Sequence, residues 1–391
     1  MTDHFRSRVR TALLIGLGAV LSAGTLAGCA ASQDIEKEAP YDREPFATRP
    51  HLKISWRQLV NPPGAWEYRP REYSTPHYRK STDEIFVGTD DGMLLKVRGG
   101  DGEILWSVKL DGPIHAEPSF GDGRVYVGTL TGGFYAVDEA TGETLWSTEI
   151  DGSIESRASY AQGRVFYTTS NDDLIAADAA TGKRLWSYRR PAPEYFTIKE
   201  TAKPVVEEGS VFCGFADGVM VSLQIDTGEV LWQSDLSGGK TEFIDADEDP
   251  VVAGSRLFAA SYDGGLYALD KTSGEQIWQV PLSGIADFIY GEDTLYAATA
   301  NGRLVAVGAE DGTTRWAFRF TDNSPVALTA TELYLFVSTA SGPMYVLDRA
   351  TGYPLMKWDP STGFNTRVVF GSTAGFAFSN RGYLYGFDVA Y

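Results

Sequence analysis

From residue 84 onward apolar and polar positions alternate in short runs, and the runs recur. Phe86-Val87-Gly88-Thr89-Asp90-Asp91-Gly92 is echoed by Tyr126-Val127-Gly128-Thr129-Leu130-Thr131-Gly132. Further copies begin at Tyr167, Phe212, Phe258, Tyr296, Phe336 and Phe376, which makes eight. A second alternating run follows each, such as Phe134-Tyr135-Ala136-Val137 or Leu266-Tyr267-Ala268-Leu269. Runs of period two that are rich in Val, Tyr, Phe and Leu predict strands.

The residues between the runs predict how the strands turn. Asp91-Gly92, Gly132-Gly133, Asp263-Gly264 and Asn301-Gly302 supply the positive φ of tight hairpins. Asp138, Asp178, Asp270 and Asp348 close several of the second runs and read as turn residues, not catalytic acids. Turns such as Thr141-Gly142, Thr181-Gly182 and Thr227-Gly228 come next. Four residues beyond each such Gly stands a tryptophan: Trp106, Trp146, Trp186, Trp232, Trp278 and Trp316. In the seventh copy Met356 takes that place. Each Trp opens a fourth strand and is predicted to dock on the neighbouring repeat. Four strands in roughly 40–45 residues make one propeller blade.

The last copy ends at Phe387-Asp388-Val389-Ala390-Tyr391 after three strands. Its missing Trp strand stands at the other end, in Ile54-Ser55-Trp56-Arg57-Gln58-Leu59-Val60. The prediction is an all-β chain: an eight-bladed β-propeller of four-stranded blades over residues 51–391, its last blade closed by the N-terminal strand. Closure protects the edges that an open row of blades would expose.

The N-terminus follows another pattern. Arg6, Arg8 and Arg10 precede an apolar stretch, Thr11 to Ala23, that is short for a membrane span. Leu26-Ala27-Gly28-Cys29 then matches a lipobox. Residues 1–28 read as a lipoprotein signal peptide, Cys29 as the acylated residue, and 29–50 as a polar, flexible tether. No Asp follows Cys29 directly, which in the usual bacterial sorting pattern implies the outer membrane, facing the periplasm. The lipid is then the only membrane contact, since no other stretch is apolar enough to span.

Charge and residue counts narrow the chemistry. The net charge is −18, and loss of the signal removes three Arg and one Asp, giving −20. Such acidity argues against nucleic acid and against anionic headgroups. With Cys29 acylated, Cys213 is alone and no intramolecular disulfide forms. Asp245, Asp247 and Asp249 alternate as in a calcium loop, but Pro250 and Arg256 stand where Gly and Glu are needed. His115-Ala116-Glu117 has no Cys-x-x-Cys to complete a deaminase site. Four His, no Gly-x-Ser-x-Gly and no phosphate loop leave no catalytic, metal or cofactor site to name.

The repeat Ala-Val-Asp-x-x-Thr-Gly-x-x-x-Trp (Ala136 to Trp146) resembles the tryptophan-docking repeat of pyrroloquinoline-quinone-type propellers. Quinoprotein alcohol dehydrogenases share it; that family carries long insertions and commonly an adjacent cysteine pair, whereas this chain has neither. The BamB family of outer-membrane assembly lipoproteins resembles it further. Lys240 to Asp247 with Pro250-Val251-Val252 is similar to that family's acidic loop, and Leu257 to Asp270, Ser273-Gly274, Trp278 and Asp287-Phe288-Ile289 continue the likeness. The resemblance implies a non-enzymatic scaffold that binds the POTRA portion of BamA, helps insert outer-membrane proteins, and contacts them unfolded. A quinone- or small-molecule-binding propeller, or one with an unrelated protein partner, stays open.

Trp186, Trp232 and Trp278 are each 46 residues apart, where 40 is usual. The extra residues, at about 188–204 and 235–250, belong to connections that emerge on one face, as does 61–75. Enlarged loops gathered on one face of a rigid scaffold mark a working surface. By the resemblance Phe196, Ile198 and Lys199 correspond to an apolar-x-apolar-Arg loop that contacts BamA, with Lys in place of Arg and so without a bidentate fork. Asp245 and Asp247 correspond to the paired acids of the second contact loop. The plain alternatives are packing under a long loop for the first set and a solvated turn for the second. Trp66, Tyr68, Arg69, Arg71 and Tyr73 are interface residue types that could equally plug the propeller rim.

Overall fold

The computed structural model describes residues 52–62, 71–191, 201–321, 323–371 and 374–389. They form eight four-stranded antiparallel sheets, each with its strands in simple up-and-down order. Blades 1 to 7 take residues 77–109, 119–149, 159–189, 205–235, 251–280, 285–319 and 325–358. Blade 8 takes 369–389 and, as its outermost strand, Leu52–Leu59, which pairs with Tyr383–Val389. The ring therefore closes by the route the incomplete eighth repeat predicts.

The core lies between blades. Phe86 and Leu94 of blade 1 pack with Val125, Val127 and Val137 of blade 2. The alternate positions of blade 2, Tyr126, Phe134 and Ala136, pack with Val165 and Tyr167 of blade 3. Both faces of the middle strands are thus covered, which is why they read as almost unbroken apolar runs. The outermost strands keep an alternation of exposed and half-buried positions, as in Thr144–Glu149.

One dock recurs at seven of the eight seams. Trp146 Nε1–H donates to Ala179 O of blade 3 at 3.2 Å, and Trp186 to Ile225 O of blade 4 at 3.0 Å. Trp106, Trp232, Trp278 and Trp316 repeat the bond, and Trp56 closes the cycle on Gly99 O of blade 1 at 2.8 Å. The acceptor turn is pre-shaped by its acid: Asp138 Oδ1 accepts from Thr141 N at 2.8 Å, Thr141 Oγ1 at 2.9 Å and Ala140 N at 3.0 Å. Those N–H donors hold the Asp138 carboxyl below its ordinary range. Gly142 is required twice over: its φ is +77°, and a Cβ there would sit 2.8 Å from the Trp106 ring.

The seam from blade 7 to blade 8 differs. The outermost strand of blade 8 arrives from the N-terminal side, so that blade has no third-to-fourth hairpin and no glycine to receive an indole. Met356 accordingly stands where the other copies have Trp. Trp358, two residues on, packs against Phe364, Tyr385 and Phe387, with ring centroids 5.3, 4.9 and 6.0 Å away. An aromatic cluster replaces the hydrogen-bonded dock.

Candidate functional site

The connections between blades emerge on the same end as the hairpins between second and third strands, and each drops side chains toward the axis. An apolar anchor fixes each connection: Ile114 N–H bonds Thr89 O, Ile154 N–H bonds Thr129 O, and Phe364 N–H bonds Thr339 O. These anchors are fully buried. The residue after each anchor, His115, Glu155 or Asn365, lines a cavity of about 330 Å³ with Tyr73, Asp247, Glu248 and Tyr262. Two residues further on, Glu117, Arg157 and Arg367 line an adjoining cavity of about 210 Å³ with Asp249 and Asp287. In blade 6 a register shift between Ile285 and Asp287 brings Asp287 into the same ring.

Charges in this ring pair between blades. Arg157 Nη1–H donates to Glu117 Oε1 at 2.8 Å, and His77 Nδ1 lies 2.9 Å from the same oxygen. Burial pushes the Glu117 carboxyl up, but Arg157 and His77 outweigh it and hold it below its ordinary range. Asp287 is buried; it accepts from Arg367 Nη2 at 2.5 Å and from Leu328 N at 2.6 Å. Asp287 in turn holds the Arg367 guanidinium above its usual range. Arg367 also lies 3.7 Å from Asp249 of the connection between blades 4 and 5, so connections three blades apart meet near the axis. Burial pulls the Lys203 ammonium down. This is a structural tie that fixes the connections relative to one another: at Glu117 the pairing outweighs burial, while at Asp287 burial outweighs the pairing and holds the carboxyl above its ordinary range.

The acids of the 235–250 connection are not a matched pair. Asp247 faces the 330 Å³ cavity, half-buried. Asp245, by contrast, is fully buried. The strand-like spacing of Asp-x-Asp does not hold here, because the backbone is pinned at three places. Ala246 N–H bonds Phe215 O, Tyr262 N–H bonds Asp245 O, and Ser261 Oγ–H bonds Ile244 O. Phe196, Ile198 and Lys199 lie outside the described residues, as do Cys29, Trp66, Tyr68 and Arg69. Arg71 is exposed, and Tyr73 packs on His115 with ring centroids 4.5 Å apart and planes tilted by 34°.

Among the described residues no group of three His, Cys, Asp or Glu is placed to hold a metal ion. Cys213 is buried, and burial pushes its thiol up.

The family described as outer membrane protein assembly factor BamB matches residues 55–147, 90–317 and 263–363. The chain belongs to the BamB family. Its structure is similar to that of BamB from Moraxella catarrhalis, at 20% identity and TM-score 0.76, over 86% of this chain and 99% of that one. It is also similar to a quinohemoprotein alcohol dehydrogenase from Comamonas testosteroni, at 13% identity and TM-score 0.71, over 87% of this chain and 76% of that one. Sqt1 of Saccharomyces cerevisiae matches at 10% identity and TM-score 0.71, over 86% and 99%. At such identities the structural likenesses are of fold alone. None of the curated proteins matches the chain by sequence.

Proposed function

We propose that this BamB-family chain is a non-enzymatic scaffold of the outer-membrane β-barrel assembly machinery. It is anchored by lipid at Cys29, faces the periplasm, and docks its connection face on the POTRA region of BamA to assist insertion of outer-membrane proteins. The observation that carries this reading is the family match across residues 55–363. Three features support it. The enlarged connections share one face, the axis beneath them is tied by ion pairs into a rigid platform, and the lipobox precedes a polar tether. Phe196, Ile198, Lys199 and Asp247 are the proposed contacts; Asp245 acts from behind by holding its loop.

One experiment tests both anchor and partner. Wild-type protein and Cys29→Ser are expressed in cells, fractionated, and each purified for binding to the isolated POTRA region of the cognate BamA. The expected result is wild type in the outer-membrane fraction, Cys29→Ser in the soluble periplasm, and saturable POTRA binding by both. Absence of binding overturns the scaffold reading, and unchanged fractionation of Cys29→Ser overturns the anchor. The likeness in fold to quinohemoprotein alcohol dehydrogenase favours a second reading, a quinone enzyme. A shifted absorbance spectrum on adding quinone and calcium would support that reading instead.

A further inference from the structure

Most large apolar side chains exposed among the described residues lie on outermost strands, as do Ile54, Ile104 and Val230, or in hairpins at the far end of the blades, as do Leu333 and Tyr353. Leu105, Leu145, Leu185, Leu231 and Ile277 each precede a docking Trp on an outermost strand and circle the rim. On the connection face stand Tyr73 and Phe243, 42% and 39% exposed. Among these exposed apolar residues Phe243 alone has a positive φ, +54°, in the left-handed region that a bulky side chain enters only at a cost.

The surroundings impose that conformation. Asp263 N–H donates to Phe243 O at 3.0 Å, Ser261 Oγ–H to Ile244 O at 2.8 Å, and Tyr262 N–H to Asp245 O at 2.9 Å. The connection is thus zipped to a blade 5 hairpin, and Phe243 is held at its crest. Its ring lies 6.4 Å from that of Tyr262, which lines the axial cavity beside Asp247 and Glu248. Glu242 is exposed next to it. An aromatic surface with an acidic fringe is therefore displayed on a fixed backbone. A fixed anchor loses little freedom on binding, and aromatic anchors carry much of the energy of interfaces.

We infer that Phe243 is the apolar anchor of this face, seating in a pocket of a protein partner flanked by lysine or arginine. Charge complementarity selects that occupant: the fringe is acidic, and the whole chain carries −18. An anionic lipid surface or a second copy of this chain would meet like charge. The inference rests on the scaffold reading above and adds a contact residue that the resemblance does not supply.

The test uses the purified mature chain and the isolated POTRA region of the cognate BamA, with binding kinetics read at about 0.05 M and about 0.5 M salt. Phe243→Gly and Phe243→Asn suit a left-handed backbone and should keep the wild-type melting temperature or raise it. Both are expected to bind about tenfold more weakly, chiefly through faster dissociation. Phe243→Trp should bind within about threefold of wild type, and wild-type binding should weaken at the higher salt. If wild type binds while Phe243→Gly and Phe243→Asn bind equally well, this anchor is refuted and the scaffold reading stands. If wild type does not bind, both fail. If both variants lose their native melting transition, Phe243 is a folding element and the inference fails.

Discussion

The two ends of the blades obey different rules. At the hairpin end, Asp138, Thr141 and Gly142 recur in kind as Asp178, Thr181 and Gly182, and each such turn receives one indole from the preceding blade. At the axis of the connection end no single residue type holds in every blade. Glu117, Arg157, Lys203, Asp249, Asp287 and Arg367 mix acids with bases, and the pairs Arg157–Glu117, Arg367–Asp287 and Arg367–Asp249 join what the ring brings near. Repetition is enforced where every blade must fit the next through the same contact. Variation is tolerated where the contacts converge on an axis and only their sum matters. The blade 7 to 8 seam supports this view: once the hairpin is absent, the tryptophan is absent too, and Trp358 fills the space with other neighbours.

The largest expected effect comes from breaking the regular end. Removing residues 52–59 opens the ring and exposes the edge of Tyr383–Val389 together with Phe376 and Gly102, on which Trp56 packs. The truncated chain should lose more stability than Trp146→Ala, for which cavity formation at a single seam predicts about 3–5 kcal/mol. Urea unfolding of the three proteins checks the order. A truncated chain as stable as wild type would mean that Leu52–Leu59 does not close the ring.

How much of this was legible in the sequence follows from the same division. The blade count, the docking Trp residues and the closing strand could be read because they rest on local spacing: Asp, Thr-Gly and Trp lie within a dozen residues of each other. The axial ring was not read. Its partners are far apart in sequence, Arg367 and Asp287 by 80 residues, and no periodicity carries such a pairing. A signal was nonetheless present. Glu117, Lys203 and Asp249 each stand directly before a proline that leads into an innermost strand. The burial of Asp245 was not legible either, because alternate acids look solvated on paper, whereas backbone bonds around it hold its side chain inward.

A second prediction sharpens the irregular end through pH. Glu72, in the connection from blade 8 to blade 1, is fully buried; it accepts from Asn61 Nδ2 at 2.6 Å and from Asp90 N at 3.0 Å. Burial raises its pKa to about 7, against the pull of those two donors. The folded chain thus binds a proton that the unfolded chain releases near 4.5. Its contribution to stability is fully present below that unfolded value, is lost as pH rises toward 7, and stays lost above. Glu72→Gln removes the titration but can satisfy only one of the two donors. It should therefore stabilise by about 2 kcal/mol at pH 8 and lose that advantage near pH 5. Urea melts at both pH values decide it: a difference independent of pH would mean that Glu72 does not titrate in this window.

The smallest expected effect separates the two acids that sequence alone would pair. Asp245→Ala removes a buried polar group from a loop held by hydrogen bonds, and should cost about 1–3 kcal/mol. Asp247→Ala changes a half-buried acid at the cavity mouth, and should leave stability within about 0.5 kcal/mol. In binding to the POTRA region the order reverses. Asp247→Ala should slow association a few-fold and flatten its salt dependence, because a charge at the mouth steers an oppositely charged partner before contact. Asp245→Ala, measured well below its own melting temperature, should leave the association rate unchanged and shorten the bound lifetime, since a looser loop presents its crest less firmly. Equal effects of the two substitutions on both stability and association would dissolve the distinction. The connection from blade 4 to blade 5 would then behave as one acidic patch, not as a buried support carrying an exposed contact.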